Sequence, residues 1–383
     1  MSSFLFSRRL QPALVNALGD TPVVCLAGAR RTGRTTLVEA LRSGLPEAAC
    51  HTFADPATLV AATRDPGAFL EGLPALAILE DAERAPGVLP FLRNAVGGGR
   101  RFLLTTTRGL PGLAESLTGS LETFTLWPLA QAEREGVVPG LIDACFQGDP
   151  SRLDLLPQTR QDLLGRLLAG GYPEAVDLDS SRRERWFHTY LASLVQGRLG
   201  VLTGLREAHQ LIRLLASPGA DPGLAGRCRD LLEDAHVMAP LAAGAGDRAR
   251  WFNDSALQAH VLGLAPAALE FQPMLASPLL ETFAFMELVK TAPWSRSRPA
   301  LSRFRAGAQD LVVLEDRRGQ LAAFTVCAAA TVQAEACQGL QALRERVGDR
   351  LRTGIVLHVG GESRAVGPGF WTLPFQALWA AGG

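Results

Sequence analysis

The stretch "CLAGARRTGRTTLVEAL", residues 25–41, decides the fold of the N-terminal third of the chain. It overlaps "TPVVCLAG" (21–28), a short apolar run that ends in glycine and predicts a buried β-strand. Residues 28–36 then have the GxxxxGK[ST] spacing of a phosphate-binding loop, with Arg34 at the lysine position. A helical pattern follows at once. Strand, loop and helix therefore occur in the order that a nucleotide site needs.

The residue types in this loop have a physical purpose. Glycines let backbone N–H groups wrap around phosphates, and the N-terminus of the next helix adds positive potential. A guanidinium is broad and planar, so Arg34 is expected to neutralise phosphate charge from a displaced position. The alternative is a strand-to-helix turn that binds no ligand. The predicted contacts with ATP are Gly28, Thr32, Gly33, Arg34, Thr35 and Thr36, with the Thr35 hydroxyl on Mg²⁺.

A second apolar run, 75–79, ends in Glu80 and Asp81. ATPases commonly have Asp then Glu here, the first near Mg²⁺ and the second polarising the attacking water. The reversed order makes Glu80 one methylene too long and Asp81 one too short for these roles. We assign both acids to catalysis, and Glu80 also to Mg²⁺, as hypotheses; a solvated strand end is the alternative.

Two further strands are predicted in the N-terminal third. "RRFLLTTTRG" (100–109) ends in hydroxyl residues, and Thr105, Thr106 and Thr107 are candidates for a polar sensor beside the γ-phosphate, with Thr107 assigned to catalysis. "ETFTLWPL" (122–129) supplies another strand. Strands that alternate with helices predict a parallel α/β sheet.

Composition limits the class of protein. The 383 residues are 47% hydrophobic and 20% charged, as in globular proteins of two or three domains. The N-terminal apolar patch is too short for a signal peptide, and no run reaches the ~18 apolar residues of a membrane span, so a soluble, cytoplasmic protein is expected. Formal charge is zero, which argues against strong non-specific nucleic-acid binding. Among 38 basic residues only Lys290 is lysine, which leaves 37 arginines.

The order of the motifs resembles a family of predicted prokaryotic ATPases. Its members have an AAA-type P-loop core, a winged-helix segment and a restriction-endonuclease-like C-terminal domain. The resemblance rests on "GARRTGRTTL", "LEDAERAP", "LTTTR", "AGGYPEAV" and "PLLETFAFMELVK", which occur in the family's order along nearly the whole chain. It implies ATP and Mg²⁺ as cofactors. It also implies a P-loop core at 1–135, a helical lid at 136–205, a reduced winged helix at 206–264 and an endonuclease-like domain at 265–383.

The departures from the family suggest altered chemistry. Ser120 stands where the family has an arginine that could stabilise the transition state, in addition to Arg34 and the reversed acids. Relaxed demand for hydrolysis explains all of these changes together. The leading hypothesis is an ATP-binding regulator or scaffold with weak or lost hydrolysis, acting with a protein partner or a second copy of itself. An active ATPase with shifted geometry and an interaction protein that binds no nucleotide are the alternatives.

The segment 209–241 occupies the place of the winged helix. Its centre, "SPGADPGLAG", is short and rich in Gly and Pro, which argues against a recognition helix and specific DNA binding.

The C-terminal part has the order of elements of an endonuclease-like fold. Helix 278–290, strands 301–306, 310–315 and 320–327, helix 333–348 and strand 353–359 are predicted. Nucleases of this type place an Asp and a Glu-x-Lys pair around Mg²⁺. We expect Thr325 and Cys327 to share a pocket with Asp310 in their place, which predicts no metal-dependent cleavage.

Overall fold

The computed structural model describes residues 6–110, 112–217, 219–243 and 249–382, except the side chains of residues 242, 243 and 273. The chain divides into two compact units. The N-terminal unit consists of 7–128 with 234–237, and the C-terminal unit is mainly 129–233 and 238–382. Within the described ranges, no helix is long and apolar enough to cross a membrane.

The N-terminal unit alternates strands and helices, as the sequence predicts. Its elements are α1 (Gln11–Asp20), β1 (Val23–Ala27), α2 (Arg34–Arg42), β2 (Ala49–Thr52), α3 (Pro56–Arg64), α4 (Pro66–Glu71), β3 (Leu76–Glu80), α5 (Leu92–Gly97), β4 (Arg101–Thr106), α6 (Leu113–Ser116) and β5 (Leu121–Thr125). The five strands form one parallel sheet in the order β2-β3-β4-β1-β5. The predicted parallel α/β sheet is confirmed.

Both faces of this sheet are covered, which explains why β1 is apolar at every position. Successive side chains of a strand point to opposite faces. Val24 and Leu26 pack with α1 and α2, whereas Val23 and Cys25 pack into the core on the other face. A strand buried on both faces in this way reads as a continuous apolar run.

The C-terminal unit combines a helical part with a larger sheet. Its elements are α7 (Gln131–Glu135), α8 (Leu141–Gln147), β6 (Leu153–Asp154), α9 (Arg160–Ala169), α10 (Ser180–Leu194), α11 (Gly200–Thr203), α12 (Ala208–Ala216), α13 (Pro222–Asp234), β7 (Met238–Ala243), β8 (Ala249–Phe252), α14 (Ser255–Leu262), α15 (Pro266–Phe271), α16 (Ser277–Thr291), β9 (Ala300–Ala306), β10 (Gln309–Glu315), β11 (Leu321–Cys327), α17 (Gln338–Val347), β12 (Leu351–His358), β13 (Arg364–Gly367), β14 (Phe370–Pro374) and β15 (Ala381–Gly382). The eight-stranded sheet has the order β13-β14-β12-β11-β10-β9-β7-β8. The helical middle and the C-terminal sheet domain agree with the predicted fold class.

The register of β10 and β11 corrects one expectation about Asp310. Val312 pairs with Phe324, and paired residues of antiparallel strands share a face of the sheet. With period two, Asp310 lies on the face of Phe324 and Val326, where α16 packs. Thr325 and Cys327 belong to the opposite face, so the prediction that they share a pocket with Asp310 was wrong. Alternation within β11 was right, but the residue opposite Asp310 could not be known without the register.

The one lysine of the chain lies in a buried ion pair on α16. Lys290 is 7% exposed, and its Nζ donates to Glu287 Oε1 at 3.1 Å and to the carbonyl of Leu129 at 3.2 Å. Glu287 is 1% exposed, and its Oε2 accepts from the backbone N–H of Gln131 at 2.8 Å. The charges are therefore compensated within the C-terminal unit.

Candidate functional site

The loop between β1 and α2 needs glycine at two positions. Gly33 precedes α2 with φ 92°, in the left-handed region that favours glycine. Gly28 has no room for a side chain, because a Cβ there would lie 2.5 Å from the carbonyl oxygen of Leu126. The glycine spacing seen in the sequence therefore has a steric cause, and the loop's backbone is fixed at both ends.

Arg8 links the loop to the segment that follows β5. Its Nη1 donates to the carbonyl of Thr32, and its Nη2 donates to the carbonyl of Trp127, both at 2.7 Å. Thr32 is 1% exposed, and its hydroxyl donates to the carbonyl of Ala29 at 2.9 Å. The Thr32 side chain thus braces the loop internally, while Thr35 and Thr36 are exposed at the start of α2.

Arg34 is the first residue of α2 and lies mostly buried. Its side chain is 12% exposed, and Nη2 lies 3.9 Å from Asp81 Oδ1. Nη1 is buried and has no hydrogen-bond partner in the described part of the chain. Burial lowers the pKa of the guanidinium, and Glu83, followed by Asp81 and Glu80, opposes this shift. A cation with one unsatisfied donor therefore stands at the loop, where an anionic oxygen would complete its hydrogen bonds.

The two predicted acids differ in their surroundings. Glu80 ends β3, and its Oε1 accepts from the Cys50 thiol on β2 at 3.4 Å. Asp81 has φ 57°, and its N–H donates to the Thr105 hydroxyl at 3.1 Å. The left-handed backbone at Asp81 turns the chain into a short 3₁₀ helix, 82–84. Asp81 therefore faces Arg34, whereas Glu80 engages β2, which lies on the far side of β3 from β1.

A third acid, Glu83, enters the site through this turn. Its Oε1 accepts from the Thr107 backbone N–H at 3.2 Å and from the Thr107 hydroxyl. Its Oε2 is buried and lacks a hydrogen-bond partner among the residues described. Arg108 Nη2 donates to the Glu83 carbonyl at 2.9 Å, which fixes the turn to the end of β4.

His236 reaches the same unit from far along the chain. Its Nδ1 lies 3.2 Å from the Thr107 carbonyl oxygen, and its ring centroid is 6.2 Å from that of Trp127. Burial lowers the pKa of His236; its hydrogen bond to Thr107 and the charge of Asp234 oppose this shift. The backbone at His236 is left-handed, with φ 57°. Thr107 thus contacts both Glu83 and His236.

Comparison with known proteins identifies two segments of the chain that match family models. Residues 20–135 match the family described as "AAA domain". This N-terminal segment is therefore similar to AAA-type P-loop ATPase domains. Residues 276–378 match a second family, "Domain of unknown function (DUF4143)". The AAA match covers the loop, the acids and the end of β4, and proteins of the AAA type are nucleotide-binding proteins.

Two relatives of the chain are uncharacterised proteins of Mycobacterium bovis and Mycobacterium tuberculosis. Each is 39% identical over 135 residues, which cover 33% of this chain and 30% of the relative. The match therefore spans less than a third of the length of these curated relatives.

Among solved structures, the Walker-type ATPase of Pyrococcus abyssi is similar at 14% identity and a TM-score of 0.41. The match covers 67% of this chain and 96% of that one. The Pif1 helicase of Candida albicans is similar at 12% identity and a TM-score of 0.25, over 43% of this chain and 48% of that one. Neither likeness assigns an activity to this chain.

The AAA domain brings together only some of the residues expected from the sequence. Arg34 meets Asp81, but Thr107 contacts Glu83, which the sequence prediction passed over. The signal for Glu83 was its place three residues after Glu80 in "LEDAERAP". Arg8 and His236 carry no local signal, because each reaches the loop region only through the fold.

The DUF4143 domain has a smaller charged cluster at Asp310. Arg303 donates to both Asp310 oxygens, with Nη2 2.6 Å from Oδ1 and 2.7 Å from Oδ2. Burial raises the pKa of Glu281 on α16, Asp310 adds to the rise, and Arg303 opposes it. No group of three or more His, Cys, Asp or Glu suited to a metal ion occurs within the described residues. The carboxylate of Asp310 is thus compensated by arginine.

Proposed function

We propose that the chain binds ATP with Mg²⁺ at residues 28–36 and hydrolyses it weakly or not at all. In this proposal the nucleotide state regulates or scaffolds a protein partner or a second copy of the chain. The observation that carries the proposal is the buried Nη1 of Arg34, an unsatisfied cationic donor at the phosphate loop. A buried donor without an acceptor is costly, and a phosphate oxygen supplies the acceptor.

The surrounding residues fit a nucleotide phosphate. The absence of a Cβ at Gly28 lets the backbone pass close to Leu126, and Gly33 turns the chain so that α2 begins at the loop. Backbone N–H groups and the start of α2 then present positive potential to an anion. Gly28, Thr32, Gly33 and Thr36 would contribute to this cradle, Thr32 through its backbone.

Thr35 and Glu80 would hold Mg²⁺, since hydroxyl and carboxylate oxygens are the ligands this ion prefers. When bound, Mg²⁺ supplies charge neutralisation for the phosphates. The exposed position of Thr35 supports its role, whereas the contact between Glu80 and Cys50 must loosen for Glu80 to take part.

Weak turnover is supported by the small amount of positive charge that Arg34 and Ser120 supply to the phosphates. Arg34 orients the terminal phosphate and neutralises part of its charge, but it also faces Asp81. An arginine that faces an acid contributes less positive potential to a transition state than an unpaired cation does. Ser120 supplies no cation, and its carbonyl accepts from the N–H of Val23.

The C-terminal part would serve interaction, not cleavage. We infer an endonuclease-like fold for residues 265–383. For the P-loop core, the helical lid and the reduced winged helix we propose the limits expected from the sequence, 1–135, 136–205 and 206–264. Arg303 neutralises Asp310, which supports a domain that does not hold a catalytic metal.

A titration of the purified chain with ATP and Mg²⁺, together with a phosphate-release assay, tests the proposal. Saturable binding with slow or absent phosphate release is the expected result. Turnover at a rate typical of ATPases, about 1 s⁻¹ or faster, favours the active-ATPase alternative. Absence of binding up to millimolar ATP favours a protein that uses the fold only as an interaction platform.

A further inference from the structure

One carboxylate oxygen of Glu83 is held by hydrogen bonds, and the other has no hydrogen-bond partner among the described residues. Thr107 holds Oε1 through its backbone N–H and its hydroxyl, while Oε2 is buried without a hydrogen-bond partner in the described ranges. The Arg108 contact to the Glu83 carbonyl fixes the backbone as well. A general base needs this arrangement, because its accepting oxygen must keep a fixed direction.

The Glu83 carboxylate is held beside the start of the phosphate loop, because the residue before Thr107, Thr106, pairs with Ala27 and its carbonyl accepts from the N–H of Gly28 at 3.1 Å. Of the acids that oppose the lowered pKa of Arg34, Glu83 has a larger effect than Asp81, whose Oδ1 is 3.9 Å from Nη2. Burial raises the pKa of the Cys25 thiol on β1 to about 12, and Glu83 adds to this rise. An unsatisfied donor on Arg34 and an unsatisfied acceptor on Glu83 therefore occur in one small region.

The two acids expected from the sequence suit the role less well. Glu80 accepts from Cys50 on β2, and β3 and β4 separate that strand from β1. Asp81 faces the guanidinium of Arg34, and its side chain is one methylene shorter than that of Glu83. Neither of these acids has a buried, unpartnered oxygen among the described residues.

We propose that Glu83 is the catalytic residue that activates water for ATP hydrolysis, with Thr107 as its positioning residue. This inference rests on the proposed ATP binding. Of the two outcomes proposed for hydrolysis, weak or absent, it selects weak hydrolysis. Glu83 Oε2 accepts one proton as the water oxygen bonds to the γ-phosphorus. The bond from that phosphorus to the β,γ-bridging oxygen breaks, and its electron pair stays on ADP. Inorganic phosphate leaves, and Glu83 returns its proton to solvent.

The test measures ATP affinity and phosphate release separately on the full chain. Glu83→Gln keeps an acceptor for Thr107 but removes the base, so phosphate release should fall about 100-fold or more. The dissociation constant for ATP should change by less than about threefold, because the lost interaction acts on the reaction and not on binding. Glu115→Gln, an exposed acid of the same unit, is the matched control and should retain the unmodified rate.

Thr107 is tested by rescue. Thr107→Val should lower phosphate release, whereas Thr107→Ser, which keeps the hydroxyl, should restore most of it. If Glu83→Gln and the unmodified chain release phosphate at the same rate, Glu83 is not the base. That result leaves the proposed ATP binding unaffected. Loss of release in Asp81→Asn together with a normal rate in Glu83→Gln assigns the base to Asp81. Absence of ATP binding by the unmodified chain rejects both proposals.

Discussion

Arg34 Nη2 and Asp81 Oδ1 lie 3.9 Å apart, so the cation at the lysine position of the loop faces the acid that follows β3. The two departures from the usual motif are thus spatially coupled. The guanidinium of arginine is broader than the compact ammonium of lysine. The side chain of Asp81 is in turn one methylene shorter than the glutamate that is usual at its position.

This coupling predicts that the three changed positions must be reverted together. Arg34→Lys with Glu80→Asp and Asp81→Glu should raise ATP hydrolysis about tenfold or more, because a compact cation and acids of the usual length support phosphoryl transfer. Phosphate release is the measurement, and Arg64→Lys, an exposed arginine on α3, is the control. ATP binding without faster hydrolysis points to Ser120, and no gain after Ser120→Arg contradicts a disabled but intact site.

Thr35→Ala should weaken binding of ATP in the presence of Mg²⁺. The exposed hydroxyl at the first turn of α2 is the proposed metal ligand, and its loss should cost about tenfold in affinity, or about 1.4 kcal/mol. Affinity measured with a chelator in place of Mg²⁺ should not change. Thr63→Ala, exposed on α3, serves as the control. Equal Mg²⁺-dependent affinity in both variants removes Thr35 from the site.

Gly28→Ala should destabilise the N-terminal unit. The new Cβ would meet the Leu126 carbonyl oxygen at 2.5 Å, and Leu126 cannot retreat easily because its N–H donates to Ala27 at 2.7 Å. The expected loss is about 1–3 kcal/mol, seen as a lower melting temperature, with loss of ATP binding. Gly19→Ala has open space around its Cβ and should not destabilise. Similar melting temperatures for the two variants would contradict the steric argument.

Lys290→Met should destabilise the C-terminal unit by about 3–5 kcal/mol, because it leaves the buried charge of Glu287 uncompensated. Adding Glu287→Gln removes that charge but keeps an acceptor for the Gln131 N–H, so most of the loss should be recovered. Chemical unfolding followed by circular dichroism measures both. A double variant no more stable than the single one speaks against the ion pair as the cause.

The DUF4143 domain should show no nuclease activity. Arg303 occupies the carboxylate of Asp310, and the same face of the sheet carries apolar Phe324 and Val326. Glu281 is a second acid near Asp310, but Arg303 opposes the charge of both carboxyl groups, so the cluster does not favour tight binding of Mg²⁺. Incubation with single- and double-stranded DNA and RNA, with Mg²⁺ or Mn²⁺, should leave them uncut. Cleavage that disappears in Asp310→Ala would disprove this prediction.

Local patterns predicted most of the fold. The apolar run of β1, the glycines after it and the start of α2 are consecutive in sequence, so steric and periodic rules apply directly. Residues 277–358 also follow the expected order of elements, except that a 3₁₀ turn, Ala334–Cys337, precedes α17. These features depend on interactions between neighbours along the chain.

The remaining features depend on pairings that sequence does not encode locally. The face shared by Asp310 follows from the register of β10 against β11, which alternation within one strand does not determine. Glu83 joins the site because Asp81 adopts a left-handed backbone conformation. The sequence pattern around residues 80–84 does not predict that conformation. His236 lies far along the chain from Thr107, so only the folded unit brings them together.

The ion pair of Lys290 gives this chain a chemical property of its own. Because Lys290 is the one lysine in the sequence and its Nζ is held by Glu287 and Leu129, the native state offers no accessible lysine side chain to acylating reagents. Acylation at Lys290 requires α16 to expose its buried side. The rate of that modification therefore reports how often the core around α16 opens, a kinetic measure that proteins with many surface lysines cannot provide.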